Sequence, residues 1–318
     1  MDLTRLRWTE HPDNPLIHPL GRGWMIADPT LLLPEETPDG RWHLFANSIP
    51  PRLHHFTSVD GEDWSWEESL CRGGMRPWCR RIDGEYLLVY ERVHWVAPLR
   101  SRIELIRSSD LTTWSAPVTL LSPSLPWHGR FHRTVSCPSL YPWEGGWRMV
   151  YSAATVFLRD CGFVEPRFVG VADAPAPEGP WTPLPDPILG PSRDDWFRTL
   201  GAGSLKVIPD PDGDGLWGFN NGIYRDDAGR SRSSIGLFRS ADGLAWEWAS
   251  EGPVISPGGT GWKRALVYAM DVRITGPDAA VMVFNARDGW FVGAERIGMA
   301  TATRSADLPV DLEARLEV

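Results

Sequence analysis

The chain has 318 residues, a formal net charge of −9 and 42% hydrophobic residues, enough apolar content for a sizeable core. It has no basic run or Lys/Arg stripe, which argues against a nucleic-acid partner, because phosphate binding depends on clustered positive charge. Glycine (31), proline (29) and tryptophan (18) are abundant, and no stretch approaches the roughly 18 consecutive apolar residues of a membrane-spanning helix. Many short strands joined by tight turns are therefore expected, with no membrane partner. The opening segment, Met1 to Trp8, lacks an apolar run and a small-residue cleavage site, which predicts a cytoplasmic protein. The four cysteines (Cys71, Cys79, Cys137 and Cys161) lack metal-ligand spacing and read as free thiols. No metal site and no cofactor are expected.

In chain order, the first unit opens on the strand Ala27-Asp28-Pro29-Thr30-Leu31-Leu32, followed by Trp42 to Asn47 and the turn Ser58-Val59-Asp60-Gly61-Glu62-Asp63-Trp64. The second has Arg76 to Arg80, then Tyr86 to Glu91, and the turn Ser108-Ser109-Asp110-Leu111-Thr112-Thr113-Trp114. The third has Ser136-Cys137-Pro138-Ser139-Leu140, then Trp147 to Ser152, with Ala172-Asp173 running on to Gly179-Pro180-Trp181. The fourth has Gly201 to Leu205, then Leu216 to Asn221, and the turn Ser240-Ala241-Asp242-Gly243-Leu244-Ala245-Trp246. The fifth has Ala269 to Arg273 and Val281 to Asn285, and its turn at Ser305-Ala306-Asp307-Leu308 has no tryptophan. The missing half lies at the other end of the chain, as Trp8-Thr9-Glu10-His11-Pro12 and then Asn14-Pro15-Leu16-Ile17.

In these turns Ser and Asp bond locally to backbone N–H groups, Gly supplies a positive φ, and the Trp packs between neighbouring sheets. Apolar runs of four to six residues bounded by Gly, Pro and Asp rule out a helical reading. The pattern predicts one all-β domain over residues 1–318: a five-bladed β-propeller of four-stranded antiparallel blades. Its ring is closed by the N-terminal strand, which removes exposed sheet edges.

The Asn14-Pro15-Leu16-Ile17 segment, the Ala27-Asp28-Pro29 opening and the Ser-x-Asp-Gly-x-x-Trp turns resemble the five-bladed propeller glycosidases, glycoside hydrolase family 43 with relatives in families 32, 68, 117 and 130. The resemblance implies a base or nucleophile at Asp28. It also implies acids in the third and fourth blades, where this chain has Cys137 and Gly201 or Ala202 instead.

In such a ring the starts of the inner strands and the ends of the second strands open on one face. Asp28, Glu91 and Asp271 are therefore expected to converge as catalytic carboxylates, since glycoside cleavage needs one group to attack or activate water and another to donate a proton. Asn47, Arg76, Asn221 and Asn285 are expected at the same level. Trp95, Trp127, His132 and Arg133 lie in loops above it, suited to stacking and binding a sugar. His54 and His55 alternate on one strand and read as structural. The expected function is hydrolysis of a small glycoside or oligosaccharide. The missing acids keep a second reading open, in which the scaffold serves a non-hydrolytic biosynthetic enzyme or a carbohydrate-binding pseudoenzyme.

Overall fold

The computed structural model describes residues 1–94, 96, 98–213 and 215–304. Strand β1 (Leu6–Glu10) precedes four sheets that follow one another along the chain. They are β2–β5 (Ile26–Leu32, Trp42–Ser48, Arg52–Ser58, Ser65–Arg72) and β6–β9 (Gly74–Ile82, Glu85–His94, Arg100–Ser108, Val118–Leu121). Next come β10–β13 (Val135–Trp143, Gly146–Leu158, Phe163–Ala174, Thr182–Pro183) and β14–β17 (Leu205–Pro209, Leu216–Arg225, Ser231–Ser240, Glu247–Trp248). The fifth sheet, β18 (Leu266–Gly276), β19 (Ala279–Arg287) and β20 (Glu295–Arg304), takes β1 as its outermost strand. The inner strands β2, β6, β10, β14 and β18 touch in sequence, and β18 touches β2. The molecule is a five-bladed propeller of antiparallel blades, closed by pairing of Leu6 with Arg304 through Glu10 with Ala300.

The turn residues do the work their chemistry suggests. Ser58 Oγ accepts from the Gly61 N–H at 2.9 Å, Asp60 Oδ1 accepts from the N–H groups of Glu62 and Asp63, and the Trp64 indole donates to the Gly61 carbonyl. The same bonds recur at Ser240, Asp242 and Trp246, and those of Ser and Asp recur at Ser108 and Asp110. Each seam between blades is a separate apolar cluster holding one tryptophan of the repeat. Trp64, Trp114, Trp181 and Trp246 fill four seams, and Trp8 fills the fifth, edge-on to Phe219. The N-terminal strand thus supplies the tryptophan that the fifth unit lacks.

Three inner strands bulge at an x-Pro pair, where proline's missing N–H costs no ladder bond. These are Asp28-Pro29, Arg76-Pro77 and Cys137-Pro138, and the first residues have φ of 54°, 51° and 50°. Gly203 (φ 60°) holds this place in blade four, and Tyr268-Ala269 form the bulge in blade five. A left-handed non-glycine residue costs about 1–2 kcal/mol, and the preceding blade helps to offset it. Asn285 Oδ1 accepts from the Asp28 N–H (3.1 Å) and Asn47 Oδ1 from the Arg76 N–H (2.6 Å).

One expected strand is displaced. The fourth inner strand begins at Leu205, because the bulge at Gly203 leaves Gly201 with a single bridge to Ile223. The fifth, Leu266–Gly276, contains the expected Ala269 to Arg273 and begins three residues earlier. The expected turn at Ser305 to Leu308 lies outside the described residues, as does Trp95.

Candidate active site

The five bulges ring the floor of an axial cavity of about 580 Å³. Asp28, Arg76, Cys137 and Tyr268 line it at bulge level, and Glu91, Asn221 and Asn285 reach it from second strands. Asp28 and Glu91 therefore share one cavity. Glu91 is buried and bound to the Arg76 guanidinium (Oε2 to Nη1, 2.6 Å), so its charge is already partnered.

Asp271 is placed elsewhere. It lies three residues past Tyr268, at a deeper level of the ring, where it accepts two bonds from Arg80 and further ones from Thr30 Oγ1 and the Leu31 N–H. It does not line the cavity, and the expected convergence of three carboxylates reduces to Asp28 and Glu91.

Two further carboxylates line the cavity from third strands, which sequence reasoning passed over. Glu165 stands on β12 and Glu295 on β20. Strands β11 and β12, of 13 and 12 residues, project beyond the ladder of the other blades and carry Glu165 inward. An acid inside the apolar stretch Phe163-Val164-Glu165-Pro166 was the available signal. Burial pushes the Glu165 carboxyl up to about 8, against the pull of the Arg76 cation. Burial likewise raises Glu295 to about 7, outweighing its ion pair with Arg287 at 3.2 Å. Asn285 ties this group to the floor, because its Nδ2 donates to Glu295 Oε2 (3.2 Å) while its Oδ1 holds the Asp28 amide. Tyr268, also passed over, presents a buried hydroxyl with no hydrogen-bond partner among the described residues. That orphan suits a polar ligand group. At the mouth, Arg287 lies over the rings of Trp24 (5.1 Å) and Phe163 (5.2 Å).

The other expected residues divide between structure and site. Asn47 spends its carbonyl on the Arg76 amide and does not line the cavity; Asn221 lines it while accepting from the Ser204 N–H and hydroxyl. Arg133 turns away from the cavity and donates to the Pro123 carbonyl at 3.0 Å. Trp127 and His132 line an adjoining pocket. His54 bonds Ser48 and Ser69, and His55 bonds His43, all away from the cavity.

The ring resembles in fold several solved glycoside hydrolases. A thermostable family-43 glycoside hydrolase superposes with a TM-score of 0.64 at 14% identity, over 92% of this chain and 97% of that one. A family 117 glycoside hydrolase from the marine bacterium Zobellia galactanivorans gives 0.59 at 15% identity, over 95% and 92%. An N-acetylgalactosamine deacetylase from F. plautii, in complex with blood group B trisaccharide, gives 0.65 at 14% identity, over 94% and 96%. At such identities the likeness is one of fold. No protein-family model matches the chain, and no curated protein matches it in sequence. No helix among the described residues is long and apolar enough to cross a membrane.

Proposed function

We propose that the protein is a glycosidase-like hydrolase that cleaves a small glycoside or oligosaccharide in the axial cavity. Asp28 acts as base or nucleophile and Glu165 as proton donor. The observation that carries this reading is the presence, in one cavity, of Asp28 and a carboxyl held protonated at neutral pH by burial. Glycoside cleavage asks for such a division of labour between two carboxyl groups. Glu165 is preferred over Glu295 because Glu295 is engaged by Arg287 and Asn285, whereas Glu165 has no hydrogen-bond partner among the described residues. The Tyr268 hydroxyl is placed to bind a sugar hydroxyl.

The test is a panel of chromogenic glycosides with the wild type, Asp28→Asn and Glu165→Gln. Hydrolysis lost in Asp28→Asn supports the reading; hydrolysis unchanged there overturns it. The second reading, a repurposed propeller, is favoured by Cys137 and Gly203 at the bulge positions of blades three and four, where neither side chain can act as a carboxylic acid. Sugar binding without hydrolysis of any glycoside would select it.

A further inference from the structure

Beside the axial cavity lies a second pocket of about 340 Å³, and Ala154 and Thr155 line both. The axial cavity carries four carboxylates beside Arg76 and Arg287, whereas the side pocket carries Arg130, Arg167 and His132 and no carboxylate. Nδ1 of His132 accepts from the Leu99 N–H (2.9 Å), so the neutral ring carries its hydrogen on Nε2 and is a donor there.

The chain has a net charge of −9, and Arg130 and Arg167 are both exposed side chains that line this pocket. Among the described residues, Arg130 and Arg167 form no ion pair. They stand beside a rigid aromatic wall. Trp127 donates to the Pro185 carbonyl (2.9 Å), stacks on Tyr151 and meets Phe168 edge-on. It also fills the space over Gly170, where a Cβ would sit 2.2 Å from the ring. A pocket with one packed aromatic wall, N–H donors and no carboxylate is matched to an anion.

We propose that the side pocket is an anion-binding subsite, which receives a carboxylate, sulfate or phosphate group on a substrate whose sugar ring occupies the axial cavity. Arg130 and Arg167 supply the charge, His132 a further N–H donor, and Trp127 a face for the attached ring. The placement of the sugar rests on the hydrolytic reading above, but the anion site itself does not.

Calorimetric titration separates the two. The wild type is titrated with D-glucuronate, D-glucose, inorganic sulfate and inorganic phosphate at low and high salt, alongside the double variant Arg130→Gln/Arg167→Gln. Both arginines are exposed, so the variant should fold, and its melting temperature checks this. The expected result is saturable binding of at least one anion, weakened by salt and at least tenfold weaker in the variant. Glucuronate binding well above glucose identifies a sugar carboxylate; sulfate or phosphate binding identifies an esterified sugar. No saturable binding of any anion, or equal binding by the variant, overturns the proposal. Hydrolysis of neutral glycosides by the wild type would leave the hydrolytic reading standing in that case.

Discussion

Asp271 and Arg80 meet through two hydrogen bonds, of 2.6 and 2.8 Å, although 191 residues separate them in the chain. The carboxylate comes from blade five and the guanidinium from blade two, and the same carboxylate accepts from Thr30 and Leu31 of blade one. Three blades are therefore fastened at one buried charge. Removing one partner of such a pair leaves the other charged and unsatisfied, at a cost of about 3–5 kcal/mol. Asp271→Ala is expected to lower stability by that order, read from the urea midpoint, and to act on activity through folding. Burial alone would raise the Asp271 carboxyl, but Arg80 overrides it and holds it down to about 2, against 3.8 ordinarily. The stabilisation is then complete above the ordinary value and lost as pH falls from there towards 2. In Asp271→Asn this part of the acid unfolding should disappear.

Asp28→Asn preserves shape and the backbone bond to Asn285 while removing the carboxylate. Hydrolysis of activated glycosides should fall by about 10²–10⁴-fold, the range for losing a positioned acid-base group. The melting temperature should stay within a few degrees of wild type. A rate within twofold of wild type would remove Asp28 from the mechanism.

Glu165 gives a pH signature. A proton donor with its carboxyl at about 8 works below that value, so the rate should fall as pH rises through it. Glu165→Gln should lose this alkaline limb, and should hydrolyse glycosides with poor leaving groups far less than those with good ones. Stability follows the same proton. The folded state holds it between the ordinary 4.5 and about 8, so this group's contribution declines as pH rises across that window. Glu165→Gln is therefore expected to melt above the wild type at alkaline pH.

The cysteines should be slow to react. Burial pushes the Cys137 thiol up to about 11 and the Cys161 thiol up to about 12, and raises Cys79 and Cys71 as well. Thiolate is the reacting form. Alkylation at neutral pH should label all four thiols in denaturant and leave Cys137 unlabelled in the folded protein. Rapid labelling of Cys137 would show that its bulge opens in solution.

The fold was legible because its signals are local. Ser58, Asp60, Gly61 and Trp64 make their bonds within one turn, so residue identity and spacing reveal them, and Trp8 could be assigned as the absent fifth copy. Asp28 was assigned through the resemblance carried by Ala27-Asp28-Pro29, and the strand bulges at that same Asp-Pro pair, which puts Asp28 on the cavity. Blade five has no such proline, and there the register was misjudged: Tyr268, not Asp271, stands at Asp28's level. Glu165 and Glu295 escaped because third strands in a propeller ordinarily lie away from the axis. Only the extra length of β11 and β12 and the fold-back of the chain around Arg287 bring these acids inward.

The pairing of Leu6 with Arg304 also sets an order of events during synthesis. Strand β1 leaves the ribosome ahead of the other strands of the ring, yet its partner β20 emerges after four blades have been made. Until then Trp8 has no seam to fill, and the unpaired strand is available to any open sheet edge, including that of another nascent copy. A chain rearranged to begin at β2 and to carry β1 directly after β20 would remove that wait. It should refold with less aggregation while keeping the same ring.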